Sequence, residues 1–516
     1  MCIKMKISAI NNINNNFYIP TFKSSKVEPF VKPQQNMTLP MNFAGQSKVY
    51  IDSINKLKEE TRRFPKDIEY RKNLLINAGL NPRDYYKLRP IIGSQEIQSI
   101  MKNFDSSEKP YSVGFKDINL KTNNMRANLH IHTLASDGAL STEELLNKAA
   151  KYANAVVLKH PEYKNAPFTI AITDHDTTET TKEAIKVIAK DPIKYRNLRV
   201  ILGTEMTTFN TIAPEIMKRA VNTHVLAYAI DPNEKIYSNF IETTKLNKNF
   251  VKEKMIQDVN EIYRQTHGKD LVSVKEAQKY SNPLKKNIIG IANHVERYVE
   301  NKFVISEILP KNEKLTKALI DNNISTNPDD LMKMLCENNR IKYSSNRTSH
   351  STADLTKMLE EKTNIPQNEL NEFIKNELKN SPLFDKIDKK INDYRVSTYL
   401  DQKYQYLPKF EDLYNGLKGQ KDAMIGLAHP LNNLKDIPDQ KNQIEFLKDF
   451  YSKFKAACKE KAKFSEVYYQ SYDGAAKLAS KTDEIKNLLN KMSKIFNLFR
   501  TGSADSHTKN IFKRFS

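Results

Sequence analysis

Cysteine and tryptophan are scarce or missing in this chain of 516 residues, which has no Trp and 3 Cys. The cysteines, Cys2, Cys336 and Cys458, lie far apart, and no C-x-x-C pair occurs. This spacing excludes an obvious disulfide framework and a zinc site built from thiolates. We therefore expect a reducing, cytoplasmic location.

Long apolar runs are also missing. Hydrophobic residues make up 39% of the chain and mean hydropathy is −0.64. No stretch approaches the ~18 consecutive apolar residues of a membrane-spanning helix, and the N-terminal MCIKMKISAINNINNNFYIP lacks the apolar core of a secretory signal. We expect no membrane association, and we expect the polar segment 1–45 to be a disordered leader.

Negative charge is in deficit. The formal net charge is +21, from 82 Lys and Arg against 61 Asp and Glu. Such an excess attracts phosphate-rich ligands such as nucleotides or nucleic acid. The lysines are scattered rather than gathered in one block, so a compositional bias also accounts for the charge. The charge alone identifies no ligand.

Seven short, largely apolar segments have the composition of β-strands, with helical patterns between most of them. They are ANLHIH (127–132), FTIAIT (168–173), LRVILG (198–203), NTHVLAYAI (222–230), AMIGLA (423–428), SEVYYQ (465–470) and LFRTGSA (498–504). This alternation predicts an α/β fold with parallel strands.

The alternation is interrupted by the highly charged segment 235–415, which is mostly helical in pattern. We interpret this segment as a helical insertion or cap between two halves of one barrel, residues 126–234 and 416–516. Residues 46–125 show short helical patterns and are expected to form an N-terminal helical extension.

Ionisable residues end or follow most of the predicted strands. They are His130 and His132 at the first strand, Asp174, His175 and Asp176 at the second, Glu205 at the third, His224 within the fourth, His429 at the fifth, and Asp505 and His507 at the seventh. The carboxyl ends of parallel barrel strands converge on one face. We therefore expect these side chains to meet in one place.

The residue types predict a metal centre. His130 and His132 are two positions apart, so both point to the same face of a strand and can chelate one ion. A carboxylate such as Glu205 can bridge two ions, because each oxygen can bind one. Nitrogen and carboxylate ligands suit Zn, Mn or Fe rather than Ca.

Single histidines carry less information. His224 taken alone is more typical of a structural, hydrogen-bonded strand residue, and its assignment depends on the other motifs. No function is assigned to His160 in an apparent loop, to His267 at a predicted helix C-terminus, or to His350 in a Ser/Thr-rich linker.

The ordered motifs H-x-H-T-x-x-S-D-G, T-D-H-D-T, G-x-E, a strand histidine, A-H-P and D-x-H resemble those of the PHP (polymerase and histidinol phosphatase) family. They most resemble the bacterial branch that removes phosphate from nucleoside bisphosphates and trims short oligoribonucleotides from the 5′ end. The resemblance covers roughly residues 126–234 and 416–516. It implies a distorted seven-stranded β/α barrel with three divalent metal ions, and a phosphorylated small molecule or short nucleic acid as substrate.

The resemblance also implies how the ligands are shared among the ions. The first ion would be held by His130, His132, Glu205 and Asp505. Glu205 would bridge to the second ion, which His224 and His429 complete. The third would be held by Asp137, His175 and His507.

One further match lies inside the insertion. The segment IANHVERYV resembles the H-x-A-R helix of this branch, which implies that His294 and Arg297 face the substrate phosphate. Ordinary charges on a helix surface are the alternative interpretation.

The function that follows is a metal-dependent phosphoesterase in which a metal-bound hydroxide attacks phosphorus. Asp176 or His294 would protonate the leaving group, and Arg297 would bind a phosphate. Two alternatives stay open. One is a non-catalytic PHP module that binds nucleic acid or protein, and the other is an amidohydrolase-type enzyme for C–N bonds, which usually carries a metal-bridging lysine.

Overall fold

A computed structural model describes most of the chain, namely residues 43–105, 127–136, 138–159, 161, 168–218, 220–281, 293–342, 352–400, 408–434, 437, 439–469, 482–503, 505–507 and 511. The chain divides into two units, Met1–Tyr50 and Ile51–Ser516. Residues 43–50 are the described part of the first unit and belong to a helix. The expected leader lies almost wholly outside the described residues, and the site lies in the second unit.

Among the described residues, seven strands form one sheet in which strands adjacent in sequence are adjacent in space. The strands are β1 Ala127–Ile131, β2 Phe168–Ile172, β3 Leu198–Asn210, β4 Val221–Tyr228, β5 Met424–Leu427, β6 Ala462–Tyr469 and β7 Phe499–Ser503. Ser506, just after β7, joins the two edges: its N–H donates to His130 O at 3.1 Å, and its carbonyl accepts from His132 N–H at 3.0 Å. The sheet is a nearly closed, distorted barrel, which confirms the predicted fold class.

Strand β4 runs against its neighbours. It pairs antiparallel with β3 and with β5, whereas the other neighbouring strands pair parallel. The prediction of parallel strands is therefore wrong for β4. The connection 211–220 is shorter than the crossover of roughly a dozen or more residues that parallel strands need. Strand β3 also runs past its predicted end at residue 203, because Gly203–Asn210 pair with β4.

The described helices lie before and between the strands in sequence, with the longest run of them between β4 and β5. They are α1 Phe43–Thr61, α2 Pro65–Asn77, α3 Ser94–Asp105, α4 Thr142–Lys159, α5 Glu179–Lys190, α6 Pro214–Met217, α7 Lys235–His267, α8 Val274–Ser281, α9 Asn293–Phe303, α10 Glu313–Asp321, α11 Pro328–Lys342, α12 Thr352–Thr363, α13 Gln367–Lys379, α14 Pro382–Leu400, α15 Phe410–Leu417, α16 Gln440–Cys458 and α17 Thr482–Ile495. None of the described helices combines the length and apolar character needed to cross a bilayer.

The barrel and the N-terminal helices share one hydrophobic core. All five residues of β2 are buried, as expected for a strand covered on both faces. Tyr70 and Leu74 of α2 and Ile97 of α3 belong to the same buried cluster. The Tyr70 hydroxyl also donates to the carbonyl of Ile230 at 2.9 Å. Helices α2 and α3 are therefore packed as part of the barrel wall.

Helix α7 connects this core to a second one. Tyr237 and Ile241, near its start, belong to the barrel core. Met255 and Val259 belong to a separate core that α7 shares with the helices up to α14. A helix of 33 residues is about 50 Å long. One continuous element therefore extends from the barrel into the helical segment.

A group of buried charges lies where the N-terminal helices meet the barrel. We term Arg71, Arg89, Arg199 and Glu96 the arginine cluster; their exposed fractions are 0%, 2%, 5% and 5%. Arg89 donates to both oxygens of Glu96, at 2.8 and 3.0 Å, and Arg199 Nε–H donates to it at 3.0 Å. Arg71 donates its Nε–H to two backbone carbonyls, and its Nη2 lies 3.7 Å from Glu96 Oε2. The carboxylate is thus surrounded by guanidinium groups.

Candidate metal centre

Most of the residues predicted from the strand ends meet at one end of the barrel. The described members, termed the candidate metal centre, are His130, His132, His175, Glu205, His224, His429, Asp505 and His507. His224 is only the fourth residue of its strand. Because β4 is antiparallel, the start of this strand, rather than its end, reaches the face where the parallel strands end.

Glu205 lies in the middle of the candidate metal centre, with imidazole nitrogens around both carboxylate oxygens. Oε1 is 2.8 Å from Nδ1 of His224 and 2.8 Å from Nε2 of His429. Oε2 is 3.0 Å from Nε2 of His130 and 3.0 Å from Nδ1 of His175. The side chain is fully buried. This arrangement suits a carboxylate that bridges two ions.

His130, His132 and Asp505 present three ligand atoms to one point. The two Nε2 atoms are 3.0 Å apart, and Asp505 Oδ1 lies 3.2 Å from that of His132 and 3.5 Å from that of His130. Ligand atoms ~2.0–2.2 Å from a tetrahedral ion are ~3.3–3.6 Å apart. Asp505 Oδ1 is a buried atom whose nearest polar neighbours are these imidazole nitrogens. The 3.5 Å spacing lies in the range for a tetrahedral ion and the other two are slightly shorter, so these three side chains need to move apart only slightly to hold a cation.

Four overlapping groups of three side chains have ligand atoms within 4.8 Å of one another. The groups are His130, His132 and Asp505; His130, Glu205 and His429; His175, Glu205 and His224; and His132, His175 and His507. Imidazole nitrogen and carboxylate oxygen suit Zn, Mn or Fe. Asp137, the remaining expected ligand, lies outside the described residues.

The charges of the candidate metal centre depend on each other. Burial alone would raise the pKa of Glu205, but the neighbouring imidazoles, above all that of His175, hold it well below its usual value. Burial alone would lower the pKa of His130, but the neighbouring carboxylates, above all Glu205, hold it well above its usual value. The carboxylates therefore need positive charge beside them, which either protons or metal ions can supply.

Three residues at this end of the barrel adopt left-handed backbone conformations. Their φ angles are +48° for Asp176, +28° for His429 and +42° for Asp505. For residues with a Cβ atom, such conformations cost about 1–3 kcal/mol each and are concentrated at functional sites. The backbone is therefore strained at three positions where it carries side chains into or beside the candidate metal centre.

A buried aspartate and a glycine shape the loop after β1. Asp174 accepts from Thr133 N–H at 2.7 Å, from the Thr133 hydroxyl at 2.8 Å and from the Ser136 hydroxyl at 2.5 Å. A Cβ atom on Gly138 would lie 2.1 Å from the carbonyl oxygen of His132. The S-D-G motif therefore needs glycine because the loop folds back onto the backbone of His132.

Glu466 of β6 was not among the residues predicted from the sequence. Its carboxylate lies 3.2 and 3.3 Å from Nδ1 of His130 and accepts from the backbone N–H of His429 at 2.9 Å. A carboxylate beside Nδ1 places the proton there and leaves Nε2 to face the centre. The available signal was an acidic residue inside the predicted strand SEVYYQ.

Asp176 lies at the edge of the candidate metal centre. Its partners are all hydrogen-bond donors or cations, which favour a charged carboxylate rather than a proton donor. Its carboxylate accepts from the N–H and hydroxyl of Thr207, both at 3.2 Å, and forms an ion pair with Lys248 of α7. Sequence reasoning missed Lys248, because nothing in a long charged helix marks one lysine among many.

The remaining histidines, and His294 and Arg297 of the insertion, lie outside the candidate metal centre or outside the described residues. His267 stacks on Tyr263, with ring centroids 4.2 Å apart, and lies 3.2 Å from Glu307 in the helical segment. Arg297 is half-buried in α9. The side chain of His294 lies outside the described residues, as do His160 and His350.

Comparison with known proteins finds no matching family model and no matching curated protein. Among solved structures, the chain is similar to an amidohydrolase from Chromobacterium violaceum, solved with bound sulfate and no metal, at 14% identity and a TM-score of 0.35 over 76% of this chain and 91% of that chain. A protein from Bifidobacterium adolescentis, provisionally described as a metal-dependent phosphoesterase, matches at 15% identity and a TM-score of 0.34 over 76% and 92%. Similarity this low carries no functional argument.

Proposed function

We propose that this protein is a metal-dependent phosphoesterase that hydrolyses phosphate esters of nucleotides or short oligonucleotides. The observation that carries the proposal is Glu205, a buried carboxylate with imidazole nitrogens within 2.8–3.0 Å of each oxygen. Two or three divalent ions, Mn, Zn or Fe, would lower the pKa of bound water and offset charge on phosphoryl oxygens. The net charge of +21 favours the approach of an anionic substrate.

The roles of the ligands follow from their partners. His130, His132, Glu205 and Asp505 would hold one ion, with Glu205 shared by a second ion near His224 and His429. His175 and His507 would contribute to a third, together with Asp137. Glu466 would orient His130 by accepting a hydrogen bond from its Nδ1–H group.

Two residues were candidates for protonating the leaving group. Asp176 is held as an acceptor by Thr207 and Lys248, so we assign it the role of organising the edge of the site. His294 retains the role of proton donor in this proposal, and Arg297 that of a phosphate contact through its fork of donors.

The proposal differs from the two alternatives at a testable point. An amidohydrolase-type centre usually has a bridging lysine, whereas Glu205 holds the central position here. A non-catalytic module would bind metal and nucleic acid without turnover. Substrate hydrolysis therefore separates all three functions.

The test combines metal analysis with a substrate panel. Purified protein loaded with Mn, Zn or Fe is analysed by mass spectrometry for metal content. It is then assayed for phosphate release from adenosine 3′,5′-bisphosphate, for cleavage of a short 5′-phosphorylated RNA and of a chromogenic phosphodiester, and for hydrolysis of a C–N substrate such as a cyclic amide. We expect two to three ions per chain and hydrolysis of at least one phosphate ester.

Three results would contradict the proposal. Hydrolysis of the C–N substrate alone would favour an amidohydrolase, and metal binding without any turnover would favour a binding module. Absence of bound metal after loading would remove the basis of the proposal. Glu205→Gln serves as the control, since phosphate release that survives this change would come from a contaminant or another site.

A further inference from the structure

The two ring nitrogens of His132 have different surroundings. The residue is 2% exposed and stacks on the rings of His175 and His507, with centroids 4.4 and 4.2 Å away. Its Nε2 lies 3.2 Å from Oδ1 of Asp505 within the candidate metal centre. Its Nδ1 lies 3.3 Å from Oγ of Ser136 in the loop that follows β1. Ser136 therefore contacts the nitrogen opposite to the one that faces the carboxylate.

The hydroxyl group of Ser136 is held by a second buried residue. It donates to Oδ1 of Asp174 at 2.5 Å, and the two residues are 6% and 1% exposed. The same oxygen accepts from the backbone N–H of Thr133 at 2.7 Å, and Oδ2 accepts from the Thr133 hydroxyl at 2.8 Å. A backbone N–H can only donate, so Oδ1 of Asp174 acts as an acceptor at this position. The Ser136 hydroxyl is therefore the donor in its contact with Asp174.

This direction of donation decides which hydrogen bond Ser136 can form with His132. A serine hydroxyl has one proton and two lone pairs. Because the proton of Ser136 is directed to Asp174, its oxygen can only accept a hydrogen bond from Nδ1 of His132. In a neutral imidazole, one nitrogen carries the proton and the other offers a lone pair. The contact therefore selects the Nδ1–H form of His132 and leaves the lone pair on Nε2, the nitrogen that faces the candidate metal centre.

The neighbouring histidine has a more direct partner of the same kind. Nδ1 of His130 lies 3.2 Å from the carboxylate of Glu466, whereas at His132 a hydroxyl group stands between the ring and the carboxylate of Asp174. Nε2 of both rings faces Oε2 of Glu205, at 3.0 Å from His130 and 3.2 Å from His132. Each of the two histidines thus has an acceptor beside Nδ1 and the candidate metal centre beside Nε2.

We propose that Asp174 and Ser136 form a positioning pair that sets the tautomer and the orientation of His132. Asp174 fixes the direction of the Ser136 hydroxyl, and the hydroxyl oxygen fixes the ring. This inference rests on the proposed function, because it assumes that His132 binds an ion. The T-D-H-D-T motif then serves the site twice, with His175 inside the centre and Asp174 supporting the loop after β1.

The test measures metal affinity instead of turnover. Ser136→Ala removes the acceptor beside Nδ1 of His132, and loss of a group that supports a metal ligand typically lowers metal affinity about 10–100-fold. We expect a loss near the lower end, about tenfold, because a hydroxyl is a weaker acceptor than a carboxylate. Competition for Zn or Mn with a chelator of known affinity measures the change. Ser136→Thr keeps the hydroxyl and should restore most of the affinity.

The matched control is Thr133→Val. It also removes a hydroxyl bonded to Asp174, but the hydrogen bonds of this hydroxyl lead to Asp174, Thr180 and the backbone of Ala135 instead of to the ring of His132. It should lower stability in urea without a matching loss of metal affinity. In zinc-loaded protein, the Nδ1–H signal of His132 in an NMR spectrum of the ring nitrogens should shift in Ser136→Ala and stay in place in Thr133→Val. Equal losses of affinity in the two variants would overturn the inference.

A double variant tests whether Asp174 acts through Ser136. Asp174→Asn alone should weaken metal binding, and adding Ser136→Ala should weaken it little further, because the two residues form one path to the ring. Losses that simply multiply would overturn the inference. Metal affinity that depends on Ser136 in a protein that hydrolyses no phosphate ester would support the inference and contradict the proposed function. Hydrolysis of a phosphate ester together with unaltered metal affinity in Ser136→Ala would do the reverse.

Discussion

Glu205 and Glu96 are both buried carboxylates surrounded by several basic side chains, but the bases differ. Glu96 meets the guanidinium groups of the arginine cluster, which remain charged at any ordinary pH. Glu205 meets imidazoles, which can release their protons and bind a cation instead. A buried carboxylate beside arginines thus forms a structural ion network, whereas a buried carboxylate beside histidines forms a candidate metal centre.

The pKa values express the same difference. Burial, together with repulsion from Arg89, lowers the pKa of Arg71 and that of Arg199 to about 10, which leaves both charged at neutral pH. In the candidate metal centre, burial alone would lower the pKa of His429, but Glu205 raises it. The arginine cluster thus contains its own positive charge, whereas the candidate metal centre must take protons or metal ions from solution.

The largest effect is expected when the bridging carboxylate is changed. Glu205→Gln keeps the size of the side chain but removes its negative charge and one of its acceptor oxygens. Metal ions contribute several kcal/mol to hydrolysis, so phosphate release should fall by at least about 10³-fold. A phosphate assay and metal analysis measure the loss. Glu179→Gln, at an exposed acid 51% accessible at the start of α5, is the matched control.

The counterpart change in the arginine cluster should affect stability instead. Glu96→Gln leaves buried guanidinium groups without their shared carboxylate, and breaking a buried ion pair on one side costs about 3–5 kcal/mol. Urea denaturation measures the free energy of unfolding. Glu69→Gln, at a 69% exposed side chain paired with Lys72, should change it by less than about 0.5 kcal/mol. Equal stability of the two variants would contradict the structural role of Glu96.

Metal removal should separate the two glutamates. A ligand at 100 times its Kd stabilises the folded state by about 2.7 kcal/mol. A chelator should therefore lower the Tm of the metal-loaded protein and of Glu96→Gln by similar amounts. Glu205→Gln should show little or no chelator effect, because it has lost the shared ligand. A chelator effect of full size in Glu205→Gln would place the stabilising metal elsewhere.

A smaller effect is expected at the residue that orients His130. Glu466→Gln retains an acceptor for the Nδ1 proton but weakens the hydrogen bond. Loss of such a supporting carboxylate typically lowers metal affinity about 10–100-fold. Competition with a chelator of known affinity measures the change. Unaltered affinity would show that Glu466 supports the fold rather than the ligands.

The smallest effect is a pH dependence in the arginine cluster. Burial would raise the pKa of Glu96, but Arg199 and Arg89 hold it below its usual value of 4.5. Its stabilising contribution is therefore complete above about pH 4.5 and is lost as the pH falls through the lowered pKa. The stability difference between the native protein and Glu96→Gln should stay constant from about pH 5 to 7 and shrink in acid. Asp67, whose pKa is raised by burial and to a smaller extent by the charge of Glu96, is present in both proteins and affects the difference only through that interaction. A difference that grows in acid would contradict this assignment.

Much of the site was predictable because strand ends and metal ligands follow simple rules. The histidine pair in ANLHIH has the two-residue period of a strand, and TDHDT and GLAHP each stand where an apolar segment ends. These local patterns predicted that His130, His175 and His429 would share one face, and the structure brings them together around Glu205. The metal-ligand roles themselves stay predictions until metal is measured.

Other features could not be predicted, because they depend on contacts between residues far apart in the chain. Glu466 reaches His130 across 336 positions, and Lys248 reaches Asp176 across 72. Glu96 meets Arg199 across 103 positions. A single acidic or basic residue in a helix or strand has no local signature of such a partner.

The sequence by itself determined the alternation of strands and helices and the types of ligand, because hydrophobic period and residue chemistry are local properties. The distorted seven-stranded barrel was an expectation from the resemblance of its motifs to the PHP family. Only the tertiary structure decided that β4 turns back so that His224 faces the centre, and that both oxygens of Glu205 are surrounded by imidazoles. It also decided which buried acid meets arginine and which meets histidine. The physical reason is that burial and pairing of charge are set by which distant segments pack together.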